Sequence, residues 1–149
     1  MPEQQDPLAL ESQVCFALSL ASRSVIAAYK PVLEPLGLTH PQYLMMLALW
    51  EYAPLSLREL SALLYQDPAT ASPIAKRLES LGYLRRERDP QDERSLSIVL
   101  TERGAVLREE AEKIPGIMMD RLGMDEAELR ALHGSMMKLI DVAVADGRL

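Results

Sequence analysis

The stretch from residue 55 to residue 104 constrains the fold more than any other part of this chain. Ser56 and Glu59 stand three residues apart, the capping-box spacing that satisfies free backbone amides at the start of a helix. Leucines then recur at helical spacing up to a second start signal, where Asp67 can cap a helix and the proline after it suits the first turn. Gly82 ends that second helix. The stretch therefore predicts a helix-turn-helix over residues 56–82.

The second helix of this pair has two chemically different sides. Its apolar side carries Ala71, Ile74, Ala75, Leu78 and Leu81. The side facing away carries small, hydroxyl and basic residues: Ala69, Ser72, Pro73, Lys76 and Ser80, with Thr70 and Arg77 on the flank. An outward surface of this kind suits contact with base edges and phosphates. The residues predicted to contact DNA from this helix are Thr70, Ser72, Lys76 and Arg77.

Two predicted strands follow the helix pair. The first covers residues 83–87 and the second covers residues 95–100, where apolar residues alternate onto one face. Residues 88–94 between them have turn chemistry and carry charge. Helix, turn, helix, basic strand, polar turn and apolar strand is the order of a winged helix-turn-helix, in which the hairpin is the wing. A solvated hairpin beside an ordinary helix pair is the alternative interpretation.

The wing supplies two further candidate DNA contacts. Arg86 lies in the basic strand, where it is placed to contact phosphate, and Arg94 lies near the tip of the wing. An arginine at a wing tip can enter the minor groove and respond to its width. Residues 76–88 hold five basic and two acidic residues, although the whole chain has a net charge of −6 and a pI near 5.0. Local positive charge is what DNA binding requires.

Composition predicts one globular domain over residues 1–149, with 48% apolar and 26% charged residues. The sequence shows no secretion signal and no run long enough to cross a bilayer, so we expect a cytoplasmic protein that does not bind membranes. The single cysteine excludes an internal disulfide. No motif implies a cofactor. The predicted fold class is mainly α with a small β-wing, and further helix caps are predicted at Thr39, Thr101 and Asp125.

Helices on both sides of the winged segment, about residues 7–30 and 105–147, are predicted to form a dimerisation region. The first should begin at Asp6 and end at Pro31, and its apolar residues cover more than one side. The second region should be kinked or broken at residues 114–116, an Ile-Pro-Gly sequence. Both carry more apolar surface than one small domain needs. We therefore predict a homodimer on a palindromic, double-stranded DNA operator.

The chain resembles the MarR family of winged-helix regulators over nearly its whole length. The residues that carry the resemblance are the helix pair, the wing sequence Asp-Pro-Gln-Asp-Glu-Arg-Ser at 89–95, and Leu-Thr-Glu-Arg-Gly at 100–104. Short N-terminal motifs resemble the OhrR branch, the repressors that sense organic hydroperoxides. These motifs are Gln-Val-Cys-Phe at 13–16, Ala-Ser-Arg at 21–23, Tyr-Lys-Pro at 29–31 and Pro-Gln-Tyr-Leu at 41–44, and residues 114–116 fit the same branch.

The resemblance implies a redox site. The family's peroxide-sensing cysteine falls on Cys15, and two tyrosines of the partner subunit bond to its sulfur in that branch. One of them matches Tyr29, whereas the other matches His40, which is a departure from the family pattern. The chain lacks a second, C-terminal cysteine, so it resembles the one-cysteine type, which needs a low-molecular-weight thiol. The implied effectors are an organic hydroperoxide and such a thiol.

Several alternatives stand beside this interpretation. The chain could instead be a repressor that a small aromatic or phenolic ligand releases from DNA by binding in the dimer cleft. Cys15 could be an inert apolar residue. A metal site formed by Cys15, His40 and His133 lacks ligand spacing, so we predict no metal. A thiol peroxidase would need a resolving cysteine, so we expect no enzyme activity.

Overall fold

The computed structural model describes residues 6–149, except for the side chains of residues 93 and 95. The helices are α1 (Val14–Leu33), α2 (His40–Tyr52), α3 (Leu57–Leu63), α4 (Pro68–Ser80), α5 (Glu102–Ala111), α6 (Ile114–Leu122) and α7 (Glu126–Ala145). The strands are β1 (Leu55–Ser56), β2 (Leu84–Asp89) and β3 (Asp92–Leu100). They form an antiparallel sheet in the order β1-β3-β2. The predicted fold class, mainly helical with a small β-wing, is confirmed.

Helix starts, apart from that of α1, are the part of the fold that local sequence determined best. The predicted capping boxes form at Thr39 and at Ser56, where the Glu59 amide donates to the serine hydroxyl at 3.1 Å. Asp67 accepts from the Ala69 amide at 2.9 Å and caps α4, and Thr101 caps α5. A third capping box begins α7 at Asp125. All of these predicted caps are confirmed. They could be predicted because each is formed by residues within three positions of one another.

The predicted bounds of α1 are wrong at both ends. Asp6 accepts from the Leu8 amide in a local turn, a 3₁₀ turn follows at Leu10–Ser12, and the helix starts only at Val14. At the other end, Pro31 lies inside the helix. The proline leaves one backbone hydrogen bond unmade, but the turn that contains it buries Leu33 completely. Burial of Leu33 in the core therefore outweighs the tendency of Pro31 to end the helix.

The wing strands are longer than predicted. β2 continues to Asp89 and β3 begins at Asp92, so Pro90 and Gln91 alone form the turn. The predicted loop over residues 88–94 was wrong because Arg88, Asp89 and Asp92 pair in the β2–β3 ladder, with an irregularity in the register between Arg88 and Asp89. β1, which pairs Leu55 with Ile98 on the other side of β3, was not predicted. Arg94 consequently lies within β3, two residues beyond its start, rather than in a loop.

The helix break predicted at residues 114–116 lies at residues 112–113 instead, so the proline comes after the break. α5 ends at Ala111, and Pro115 lies in the first turn of α6, a position that does not need its missing amide. α7 then contributes no buried residue within the protomer. Its uncovered apolar side chains are Leu132, Met136, Met137, Leu139, Val142 and Val144. No helix among residues 6–149 is both long and apolar enough to span a bilayer.

A close backbone contact joins α5 to the end of the helix-turn-helix. A Cβ on Gly104 would lie 1.9 Å from the Tyr83 carbonyl oxygen. The Gly104 carbonyl accepts from Trp50 Nε1 at 2.9 Å, and the Tyr83 hydroxyl donates to the Leu36 carbonyl at 2.6 Å. Only glycine permits the approach, so this position fixes α5 against α2 and the start of the wing.

We predict that Gly104→Ala lowers the free energy of unfolding by about 3 kcal/mol, because the methyl group has to displace backbone rather than a flexible side chain. Gly116→Ala is the matched control, since nothing lies within 4 Å of its added Cβ. That change should raise stability by about 0.5–1 kcal/mol through helix propensity. Urea unfolding at one protein concentration measures both. Equal stability of the two variants would contradict the close approach at Gly104.

Candidate DNA-binding surface and redox site

The predicted DNA-contacting residues of α4 do not all have the same environment. Thr70, Lys76 and Arg77 are exposed, and they lie away from the buried residues Ala71 and Leu78. Ser72 differs, because it is half-buried and lines a cavity of about 70 Å³ between α4 and the wing. Of these four residues, the two cations and Thr70 are therefore accessible, whereas Ser72 is half-buried beside the wing.

Arg86 is held by an acidic residue that the sequence analysis did not single out. The Glu79 carboxylate accepts from Arg86 Nη2 at 3.0 Å and from Nε at 3.2 Å. These hydrogen bonds from Arg86 hold the pKa of Glu79 below its usual value, and the same contact raises the pKa of Arg86. Glu79 lies seven residues before Arg86 and across a turn, a separation with no recognisable sequence signal.

Arg94 lies on the exposed part of the wing. Its backbone amide donates to Asp92 Oδ1 at 3.0 Å, and the Gln91 amide donates to Asp89 Oδ1 at 2.8 Å. Both aspartates therefore shape the turn by accepting from amides two residues later. The Arg94 side chain is exposed, and this leaves it accessible to a DNA groove.

The candidate redox residues separate into two groups within one protomer. Cys15 is exposed near the start of α1, whereas Tyr29 is fourteen residues further along the same helix. At a rise of 1.5 Å per residue, the two positions are about 21 Å apart along the helix axis. The structure therefore does not bring Cys15 to Tyr29 within one chain. Apolar residues around Cys15 are also uncovered, including Val14 at 68% exposure.

Tyr29 and His40 do lie together. Their ring centroids are 5.3 Å apart, and the ring of Tyr43, one turn further along α2, also lies beside Tyr29 with centroids 5.7 Å apart. Burial raises the pKa of Tyr29 and lowers the pKa of His40. At neutral pH the phenol is therefore protonated and the imidazole is neutral, so each group has a hydrogen to donate.

Two grooves flank these rings. One of about 450 Å³ lies between the C-terminal half of α1 and the start of α2, and its lining includes Ile26, Ala27, Leu38 and His40. The other, of about 430 Å³, lies between α2 and the α5–α6 junction. Tyr43, Trp50 and Arg108 line that second groove. Among the side chains that the structure describes, no group of three or more potential ligands could hold a metal ion.

The chain is similar to known regulators over nearly its full length. It is 39% identical to the organic hydroperoxide resistance transcriptional regulator of Bacillus subtilis, over 95% of this chain and 96% of the relative. It also resembles the solved structure of reduced AbfR bound to DNA, a Staphylococcus epidermidis protein, with a TM-score of 0.74. That match has 29% identity and covers 91% of this chain and 94% of the other. AbfR has also been solved overoxidised on DNA and in a disulfide-formed state.

A third similar protein binds a different kind of molecule. CouR from Rhodococcus jostii, solved with p-coumaroyl-CoA, matches with a TM-score of 0.76 and 26% identity, over 89% of this chain and 94% of the other. The family model for MarR matches residues 38–96, which include the helix-turn-helix and most of the wing. These relatives are transcriptional regulators rather than enzymes, and MarR regulators bind DNA as dimers. The chain belongs to the MarR family of transcriptional regulators.

Proposed function

We propose that this protein is a dimeric repressor that senses organic hydroperoxides through Cys15 and then releases a palindromic operator. The observation that carries the proposal is the distribution of the redox residues: an exposed cysteine lies about 21 Å along α1 from a packed tyrosine–histidine pair. A two-fold dimer with antiparallel α1 helices would place each cysteine against the pair of the other subunit. The similarity to the Bacillus subtilis hydroperoxide resistance regulator supports the same chemistry.

Tyr29 and His40 would activate the thiol. The buried phenol keeps its proton, and the neutral imidazole carries one N–H, so both can donate to a thiolate of the partner. Hydrogen bonds to the charged form of a group favour that form. Cys15 would therefore carry more thiolate near neutral pH than an unassisted thiol, and the thiolate is the nucleophile.

The oxidation then follows in two balanced steps. The Cys15 thiolate attacks the terminal peroxide oxygen, the O–O bond breaks, and the leaving alkoxide takes a proton to become an alcohol. The product is a sulfenic acid. A low-molecular-weight thiol then displaces its hydroxyl as water and forms a mixed disulfide. The sulfenic acid is small enough to keep its hydrogen bonds, whereas the attached thiol would have to occupy the apolar groove beside His40.

DNA release would follow from that added bulk. Each α4 lies in a unit joined through Tyr83 and Gly104 to the helices that carry the redox residues. Two α4 helices bind one duplex when they are about one helical turn apart. A wedge between the α1 helices would change that spacing, so the dimer would lose operator affinity.

A second function is favoured by the groove lined by Tyr43, Trp50 and Arg108, together with the similarity to a regulator that binds p-coumaroyl-CoA. An aromatic ligand could pack against Trp50, and Arg108 would have to exchange its ion pair with Glu112 for an anionic group of the ligand. In that case the ligand would release DNA without any change at Cys15.

We predict that Cys15→Ser binds DNA normally and stays bound after treatment with an organic hydroperoxide and a small thiol. Tyr29→Phe should oxidise roughly tenfold more slowly, because one donor to the thiolate is lost, while the reduced variant keeps its DNA affinity. Tyr52→Phe is the control, since Tyr52 is exposed and lies at the far end of α2. The measurement pairs mass spectrometry of Cys15 with a mobility shift. Release from DNA with Cys15 still a free thiol would support the ligand mechanism instead.

We predict that Arg94→Ala weakens DNA binding and lowers the slope of log affinity against log salt by about one unit, because one cation leaves the interface. Lys76→Ala should have a similar effect on the slope through α4. Arg130→Ala is the control, because Arg130 is exposed on α7 and pairs with Glu126. The probe is a labelled duplex that the wild-type protein selects from a random-sequence pool. An unchanged affinity and slope in Arg94→Ala would exclude the wing from the interface.

We predict that Leu139→Asp prevents dimerisation. Leu139 is 54% exposed in the protomer and lies on one side of α7 with Leu132 and Met136, so a carboxylate there would be buried between subunits. Ala127→Asp adds the same charge on the opposite side of the helix and should remain dimeric. Analytical ultracentrifugation distinguishes the two states. A dimeric Leu139→Asp variant would show that α7 does not form the interface.

A further inference from the structure

Glu79 and Arg86 form a joint between α4 and the wing. Glu79 lies in the last turn of α4, and Arg86 lies in β2, beyond the turn at Gly82. The carboxylate accepts from three donors of the one arginine: Nη2 at 3.0 Å, Nε at 3.2 Å and the backbone N–H at 3.2 Å. An arginine bonded to a carboxylate through two N–H groups is held in one orientation.

The backbone contact follows from the order of the strands. β3 is the central strand and β2 is at the edge of the sheet. Alternate N–H groups of an edge strand point away from the sheet and have no strand partner. The Arg86 N–H is such a group, and it donates to Glu79 instead. The carboxylate therefore takes the place of a neighbouring strand and ties the backbone of the wing to α4.

Packing beneath the joint is incomplete. The cavity of about 70 Å³ between α4 and the wing is lined by Leu57, Ser72, Ala75, Arg86, Leu96 and Ile98. Atoms that line a void lose van der Waals partners on that side. The cavity leaves a gap in the apolar contact between α4 and the wing, and the Glu79–Arg86 ion pair is a polar contact between the same two elements.

We propose that Arg86 is a positioning residue for DNA binding: it holds the wing at a fixed place relative to α4 through Glu79, and it does not contact phosphate. The inference rests on the proposed DNA-binding function and changes the role that the sequence indicated for Arg86. The ion pair is electrically neutral, and two of the arginine donors are already bonded. Arg94 on the wing and Lys76 on α4 can engage one duplex together only if the distance between them is kept.

The test measures DNA affinity and its salt dependence for Glu79→Gln and Arg86→Lys, each with and without Arg94→Ala. The probe is again the labelled duplex that wild-type protein selects from a random-sequence pool. We expect Glu79→Gln to weaken binding about tenfold without changing the salt slope, because no phosphate contact is lost. Arg86→Lys should behave in the same way, since lysine keeps the charge but lacks the planar pair of donors. Neither substitution should weaken DNA binding further when Arg94→Ala is also present, because the placement of the wing then no longer matters.

Other results would overturn the inference. If Arg86 contacts phosphate, Glu79→Gln frees it and tightens binding, and Arg86→Lys keeps most of the affinity. If the ion pair only stabilises the fold, Glu79→Gln and Arg86→Lys each lower DNA affinity by the same factor with and without Arg94→Ala. Failure of wild-type protein to select or bind any duplex would instead reject the proposed function, so the two failures are distinguishable.

Discussion

The contact between Gly104 and Tyr83 is the constraint on which the rest of the structure depends. The Tyr83 carbonyl occupies the space that any larger residue would need at position 104, and the same carbonyl accepts from the Thr101 amide at 3.2 Å. Thr101 Oγ1 donates to the Gly82 carbonyl at 2.6 Å, so the end of α4, the start of the wing and the start of α5 meet within a few residues. The hydrogen bond from Trp50 Nε1 to the Gly104 carbonyl joins α2 to the same group of residues. The DNA-binding unit, α2 and the start of α5 are therefore packed as one body.

How much of this could be predicted depends on how far apart the interacting residues are in the chain. The caps at Ser56, Thr101 and Asp125 involve residues three apart, so composition and spacing were sufficient to predict them. The continuation of α1 through Pro31 could not be predicted, because it depends on burial of Leu33 in a core formed by distant helices. Local signals end helices only where tertiary packing does not oppose them.

The candidate functional site could likewise be predicted only in part from the sequence. Cys15, Tyr29 and His40 were identified by resemblance, and the packing of Tyr29 against His40 gives that pair a physical basis. Glu79 was missed, because an acidic residue in a predicted DNA-binding helix has no distinguishing sequence pattern. Its pairing with Arg86 also explains how a carboxylate is tolerated there: the arginine neutralises it. A chain with a net charge of −6 can then present Lys76 and Arg77 to phosphates, because the carboxylate of Glu79 on the same helix is paired with Arg86.

The position of the tyrosine–histidine pair indicates how oxidation would reach the DNA-binding unit. Tyr29 precedes, and His40 follows, the 3₁₀ turn at Glu34–Leu36. The Leu36 carbonyl in that turn accepts the Tyr83 hydroxyl at 2.6 Å, and Tyr83 is the residue packed against Gly104. A thiol adduct wedged against the pair would push on the turn, and the turn cannot shift without either breaking that hydrogen bond or moving Tyr83. Because Tyr83 connects α4 to β2, its movement would displace both DNA-binding elements together, so a small covalent change could release the whole interface.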